Sequence, residues 1–521
     1  MKMKKILFAG AVMLTGTLAL NAHRVTKYTT TEDVPWVMSK AALATKADAA
    51  VVATVDGTEK GTPFRAWGTT FNELDWDAFN LLSRDDQDEV MHRLFANDGD
   101  LRFTHGRVSM NANDYARSWY QCDDVVGDLS LKYFNIERDK RNIIPLARAA
   151  QKYCPQLQLF MSPWSPPAWM KINQDYCVLS SQYNTQPKEK DYLLYATLPL
   201  TPPYRAGSGY LQDGKSAEEV SAPLPPREGQ GGGSVFPRRL ATQDYFIQDP
   251  RYLQSYADMF CRFIDLYAEQ GLPITKVMYQ NEAYSYTPYP GCAWTAEGTL
   301  RFNNEYLVPT LRKQHPEVEL WIGTFNTNRL DYVQKIIDDK TLQSNVKGIA
   351  TQWECRENLP QLKERYPQLR LMMSESECGN GSMDWKAGEH TFFLLSDNLG
   401  NGCDEYYNWN FILADNGQST WGWTQNALIQ VDSKTRQKRY TAEYYAYKHF
   451  CQFVAPGTET MAYAGRDYSK TPVVVFRNGQ QIIVTMGNFT DADVCLSVKV
   501  KGKYLNAAAT PHSFNTYIIG K

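Results

Sequence analysis

The sequence is poor in the residues that hold metals. Only seven histidines occur in 521 residues, none in an HExxH spacing. The ten cysteines lie scattered at 122, 154, 177, 261, 292, 355, 378, 403, 451 and 495, with no CxxC pair. Zinc-site spacing is therefore missing, and neither a metal nor a cofactor is expected. No dense Lys/Arg stripe appears, and a net charge of −2 offers no surface for nucleic acid. No Gly-rich first turn marks a dinucleotide-binding sheet. The apolar run near the start, Ile6 to Leu20, covers fifteen residues. That is short of the roughly 20 needed to span a bilayer.

This run follows Lys2, Lys4 and Lys5 and precedes Asn21-Ala22-His23, the layout of a signal peptide over residues 1–22. Its removal takes three lysines, changing the formal charge from −2 to −5. Export to a periplasm or beyond is expected, with no stable membrane insertion after signal removal. The first cysteine is Cys122, so no lipid-acceptor Cys follows the apolar run. Export permits disulfides, but the spacing dictates no pairing. Cys261, Cys451 and Cys495 sit in apolar helical or strand patterns and are expected to be buried thiols.

What is present is apolar and aromatic: 43% and 13% of residues, with 13 Trp and 32 Tyr. Flat amphipathic rings pack in cores and also stack on sugar faces. Residues 23–60 are polar and Ala/Thr-rich, with one strand-like piece at 49–55 that ends at Asp56-Gly57. From Phe64 onward, strand-like segments near 64–71, 103–110, 157–162, 274–281, 318–324, 346–352, 369–374 and 403–409 alternate with helical patterns. One such pattern runs from Leu253 to Gln270, with Tyr256, Met259, Phe260, Phe263, Ile264 and Tyr267 at helical spacing. Eight strand–helix repeats predict an α/β fold, a (β/α)8 TIM barrel over 61–454. The Pro/Gly/Ser-rich stretch 176–243 is an insertion after the third strand, expected over the active-site face. Beyond Ala455-Pro456-Gly457, short strands at 472–476, 481–486, 494–500 and 516–519 predict a small antiparallel β-sandwich side domain over 455–521. The 23–60 segment is expected to contribute to it.

Two of the barrel segments end in a carboxylate. Val277-Met278-Tyr279 runs into Gln280-Asn281-Glu282, and Leu371-Met372-Met373 into Ser374-Glu375. Carboxylates at strand tips lie on the face where barrels build their sites. Two such groups about 5–5.5 Å apart suit glycoside hydrolysis with retention. Glu377, two residues past Glu375, is a rival by the period of an extended strand.

Longer motifs point the same way. Ser162-Pro163-Trp164-Ser165-Pro166-Pro167-Ala168-Trp169-Met170-Lys171 is similar to the third-strand signature of the glucosylceramidase-type retaining β-glycosidases, glycoside hydrolase family 30. Arg107-Val108-Ser109-Met110 with Asp114, Gly348-Ile349-Ala350-Thr351-Gln352-Trp353, Tyr366-Pro367 leading to Glu375, Asn408-Trp409-Asn410 and the closing 511–517 run resemble that family as well. The resemblance covers most of 62–521, weakly between 176 and 243.

It implies Glu282 as acid/base and Glu375 as nucleophile, on a carbohydrate or glycoconjugate substrate. Arg107, Asp114, Trp164, Asn281, Gln352, Trp353 and Trp409 are the implied substrate-binding residues. Asn281 is the amide type that donates to a sugar 2-hydroxyl, and Arg107 the cation that keeps a nucleophile ionised. Two departures stand out. Ala283 replaces the proline of the common Asn-Glu-Pro, and Gln352 stands where the glucosylceramidase type has histidine. β-Glucosides such as β-1,6-glucan or glucosylceramide-like lipids lead the substrate expectation. β-Fucosidase, β-galactosidase and xylan-active specificities are the alternatives within the family. A catalytically inactive carbohydrate-binding protein is the alternative outside it.

Overall fold

A computed structural model describes residues 24–56, 59–195 and 243–520. The expected signal peptide and the 196–242 part of the insertion lie outside the described residues. Eight parallel strands close into a barrel: β1 (Ala66–Thr70), β2 (His105–Val108), β3 (Gln158–Met161), β4 (Ile274–Met278), β5 (Glu319–Phe325), β6 (Gly348–Gln352), β7 (Arg370–Glu375) and β8 (Cys403–Asn408). All eight fall within two residues of the strand-like segments, except that β4 stops at Met278. The chain beyond it stays in reach of its neighbours, since Asn281 N–H donates to Pro163 O at 2.7 Å and Thr324 N–H to Gln280 O at 3.1 Å.

Helices follow each strand, and the one before β4 shows why they form. Pro250–Glu269 starts at Asp249, whose carboxylate accepts from Arg251 N–H, with proline in the first turn. Its buried face is Leu253, Tyr256, Met259, Phe260, Phe263, Ile264 and Tyr267, the spacing of one helical stripe. On β3, β7 and β8, side chains alternate between this outer core and the barrel lumen. Leu159 and Met161, Leu371 and Met373, and Tyr406 join the outer core. Phe160, Met278, Trp321, Ala350, Met372 and Tyr407 fill the lumen as one apolar layer. Gly68 on β1 makes room for this layer, because a Cβ there would sit 2.4 Å from the Tyr407 ring.

The companion unit has two sheets. The larger orders Val37–Ala42, Arg24–Thr31, Ser513–Ile519, Gln481–Asn488, Val473–Asn478, Glu459–Ala464 and Thr62–Pro63. The smaller orders Lys503–Ala509, Val494–Val500 and Val51–Val55. All pairs are antiparallel except the last, so the 49–55 piece joins in parallel. Leu496, Val498 and Val500 face the core between the sheets. Cys495 therefore points the other way and is partly exposed, a correction to its expected burial. Cys261 and Cys451 are buried, and all ten thiols are free. The outer face of the larger sheet, with Val474, Phe476, Ile483, Phe514 and Ile518, packs on the barrel's helical core.

Candidate active site

Arg107 organises the upper end of the barrel. It leaves β2 toward the lumen, fully buried, and its guanidinium lies 4.3 Å over the Trp164 ring and 5.5 Å from that of Trp409. Those two indoles stack at 5.3 Å, with Tyr115 edge-on to Trp409. Nη1 donates to Glu375 Oε2 at 2.5 Å, and Nη2 donates to Asn281 Oδ1 at 2.8 Å and to Ser162 Oγ at 2.9 Å. One cation thus ties the ends of β2, β3, β4 and β7 together. Burial lowers the pKa of this guanidinium and the Glu375 charge opposes that. An arginine guanidinium is not deprotonated in proteins, so it stays charged.

Glu375 receives three donors. Besides Arg107, Gln352 Nε2 reaches Oε2 at 3.3 Å and Trp353 Nε1 reaches Oε1 at 3.2 Å. Both oxygens of this carboxylate, only 6% exposed, are thus met by donors. Glu377 goes elsewhere. The strand ends at Glu375, and Glu377 pairs with His390 at 2.9 Å and with Arg356 at 3.5 Å. The period-2 expectation for the doublet fails because the chain is no longer extended.

Asn281 Oδ1 accepts from Arg107, from Gln352 Nε2 at 3.1 Å and from Thr324 Oγ1 at 3.0 Å. Three donors on one atom fix it as the oxygen and leave the amide N–H groups to donate elsewhere. Gln352 Oε1, by contrast, is buried and has no hydrogen-bond partner among the described residues.

Glu282 follows at φ 49°, and Trp353 stands at φ 43°. The left-handed region costs a non-glycine residue about 1–3 kcal/mol and is characteristic of sites where the surroundings over-determine the backbone. Here Thr324 Oγ1 accepts from Glu282 N–H at 3.3 Å, and Ala283 O accepts from Trp294 N–H at 2.5 Å. The Glu282 carboxyl, 7% exposed, accepts from the Tyr289 hydroxyl at 3.1 Å. Asp114 completes the group. Burial, then the charges of Glu375 and Glu282, push its carboxyl well above the usual carboxylate range. No side chain among the described residues donates to it.

All nine residues singled out in the sequence therefore meet in one place. Trp164, Trp353 and Trp409 share a packed cluster with Tyr115. Trp169 instead points outward, its indole donating to Asp123 O at 3.1 Å. Sequence reasoning missed Tyr289, Thr324 and Gln425, the last of which accepts from Trp409 Nε1 at 2.9 Å. Tyr289 and Gln425 lie in loops without periodicity, and Thr324, inside β5, reads as one more strand residue. Aromatic density between Tyr284 and Tyr289 was the one available signal. The described arm of the insertion adjoins this face: Asn184 Nδ2 donates to Pro288 O at 2.7 Å, and Tyr183 lies against Gly422. A groove of about 950 Å³, lined by Phe393, Tyr463 and Tyr468 among others, lies well away beside the companion sheet and contains none of these groups.

Comparison with known proteins agrees with this geometry. The Glycosyl hydrolase family 30 TIM-barrel domain matches residues 64–197 and 246–454. "Putative glucosylceramidase 1" of Caenorhabditis elegans is 24% identical over 83% of this chain and 77% of its own length. "Endo-1,6-beta-D-glucanase neg1" of Aspergillus fumigatus is 22% identical over 89% of this chain and 87% of its own. The solved structure of "The endo-beta1,6-glucanase BT3312" superposes with a TM-score of 0.71 at 19% identity, covering 95% of this chain and 99% of that one. With more than half of its length matched by the family's catalytic domain, the chain is a glycoside hydrolase and belongs to glycosyl hydrolase family 30.

Proposed function

We propose that the protein is an exported retaining β-glycosidase that hydrolyses β-linked glucosides, with Glu375 as nucleophile and Glu282 as acid/base. The observation that carries this reading is the three-donor cradle around Glu375, one of whose members, Arg107, also holds Asn281 beside Glu282.

In the first step a Glu375 oxygen attacks the anomeric carbon while Glu282 gives its proton to the glycosidic oxygen. The old C–O bond breaks, the leaving group departs as an alcohol, and a glycosyl ester forms on Glu375. In the second step Glu282, now ionised, takes a proton from water. The water oxygen bonds to the anomeric carbon, the ester C–O bond breaks, and both carboxyls return to their starting states. Asn281 and Asp114 meet sugar hydroxyls, Gln352 orients the nucleophile, and Trp164, Trp353 and Trp409 wall the glycone pocket.

The names of the relatives, glucosylceramidases and endo-1,6-glucanases, support β-glucosides as the substrate class. The lysines and apolar run at residues 2–20 support export. No described helix is long and apolar enough to cross a membrane. Nothing in the composition favours nucleic acid as a partner.

The test is a 2-deoxy-2-fluoro-glucosyl fluoride trap, digested and sequenced by tandem mass spectrometry. Label on Glu375 is the expected result. Label on Glu377, or no label with no turnover across a panel of aryl β-glycosides, overturns the assignment.

A further inference from the structure

Tyr289 lies where two aromatic groups meet. On one side it packs against the glycone cluster of Tyr115, Trp164, Trp353 and Trp409. On the other it packs against an outer cluster of Tyr176 and Trp421, with Trp119 and Trp423 partly buried beside them. Its ring meets that of Trp423 edge-on at 4.9 Å, and its hydroxyl donates to Glu282 Oε2 at 3.1 Å. Both rings are only partly buried. Neither is loosely held. Thr287 O, two residues before Tyr289, accepts from Val178 and Leu179 N–H at 2.9 Å each, and the backbone of Trp423 is bonded to Ser419 at 2.8 Å.

A general acid stands beside the oxygen that departs, so the group carried by that oxygen must pass the acid on the side away from the nucleophile's pocket. The Tyr289 hydroxyl holds Glu282 at the boundary where the glycone cluster meets the outer cluster of Trp423. A sugar ring offers a C–H face to an aromatic plane and hydroxyls to its polar edge. A partly exposed tyrosine–tryptophan corner with a hydroxyl in it suits such a ring better than a lipid chain, which needs dry, continuous apolar surface.

We propose that Tyr289 and Trp423 form the leaving-group subsite, that this subsite takes a second sugar ring, and that Tyr289 is also a positioning residue for Glu282. The proposal rests on the β-glucosidase reading above and narrows its substrate to glucosides of sugars. A hydroxyl donating to a carboxylate favours the charged form. The tyrosine also fixes the direction of the acid's carboxyl.

The experiment compares Tyr289→Phe and Trp423→Ala with the wild type on three substrates: a β-1,6-linked glucose oligosaccharide, 2,4-dinitrophenyl β-glucoside, and a glucosyl-lipid in detergent micelles. The expected result is a loss of kcat/KM on the oligosaccharide at least about tenfold larger than on the dinitrophenyl glucoside, whose departure needs little acid help. In Trp423→Ala the loss falls mainly on KM. In Tyr289→Phe it falls on kcat, and the basic limb of the kcat/KM–pH profile shifts. Equal losses on both glucosides, with an unmoved pH profile, overturn the proposal while the variants' remaining turnover keeps the glycosidase reading intact. A loss confined to the glucosyl-lipid overturns the sugar assignment. Activity of the wild type on the dinitrophenyl compound tests the underlying reading separately.

Discussion

The two ends of the barrel lumen each bury a cation–carboxylate cluster, and they are wired differently. At the lower end, Glu405 of β8 meets Lys276 at 3.2 Å, the Arg370 guanidinium, and the Tyr407 hydroxyl at 2.8 Å. Arg370 is also bidentate to Asp404 at 2.8 and 3.1 Å and lies 4.9 Å over the Trp321 ring. Arg65 also reaches Asp404 at 3.3 Å and Glu319 lies 3.9 Å from Arg370, so three cations answer three carboxylates. At the upper end one cation, Arg107, is surrounded by the carboxylates of Glu375, Asp114 and Glu282. An apolar layer separates the ends. The difference teaches that burial and ion pairing do not by themselves mark a catalytic group. An excess of acid over base, with backbone held in the left-handed region, does.

The sharpest contrast sets Glu375→Gln against Glu405→Gln. The first is expected to lower turnover of any substrate by on the order of 10⁴-fold or more while leaving a folded enzyme, by activity assay and circular dichroism. The second leaves Lys276 and Arg370 without their shared anion. It is expected to cost about 3–5 kcal/mol in denaturant unfolding, with kcat of the folded fraction within about threefold of wild type. Equal effects of the two on kcat would erase the distinction. Next in size, Gly68→Ala pushes a methyl group into Tyr407 between the two clusters and is expected to cost about 1–3 kcal/mol, read by thermal melting. Glu282→Ala should spare dinitrophenyl glucosides in the glycosylation step and lose roughly 10²–10⁴-fold on poor leaving groups.

Acid separates the clusters further. Burial works against the charge of Glu405, but Lys276 and then Arg370 outweigh it, so its carboxyl sits below the ordinary value. Its contribution is fully present above the unfolded glutamate pKa near 4.3 and is lost as pH falls through the lower folded value. The melting-temperature gap between wild type and Glu405→Gln should shrink over that acid window. Glu443, buried behind the upper site, has the opposite sign. Burial pushes its carboxyl up to about 7 against the nearby Asn426 amide and a hydrogen bond from Thr391 Oγ1 at 3.2 Å. Its contribution is present below the unfolded pKa near 4.3 and is lost as pH rises through about 7, so Glu443→Gln should gain on wild type over that interval. The smallest effect belongs to Glu377→Gln, whose partners His390 and Arg356 lie outside the site. About 1 kcal/mol of stability and little activity should be lost.

Much of the upper end was legible because β4 and β7 write their fold into the same few letters. Apolar residues fill the wall, then a carboxylate arrives where the wall stops. Arg107 and the Trp164 proline run were readable as motifs. The lower cluster was not, because Lys276, Arg370 and Glu405 sit near the starts of three separate strands, where a single charge reads as a solvated end. Strands Arg24–Thr31 and Val37–Ala42 were missed for another reason. Their Thr- and Lys-rich letters carry little apolar alternation, and what makes Arg24–Thr31 a strand is its neighbours, among them Ser513–Ile519. The kink that places Glu282 four residues beyond Met278 is a property of contacts to Pro163 and Thr324, which no local pattern encodes.

That pairing of Arg24–Thr31 with Ser513–Ile519 has a consequence for how the molecule is made. Thr29 reaches Asn515 across 486 positions of chain. Until the final strand leaves the ribosome, the earliest one has an open edge, and so does Gln481–Asn488, which the final strand also joins. Contacts so remote in sequence form late and slowly. Nascent chains are therefore exposed to mispairing until Ser513–Ile519 has been made, and deletions within that strand should aggregate far more than loop deletions of the same size.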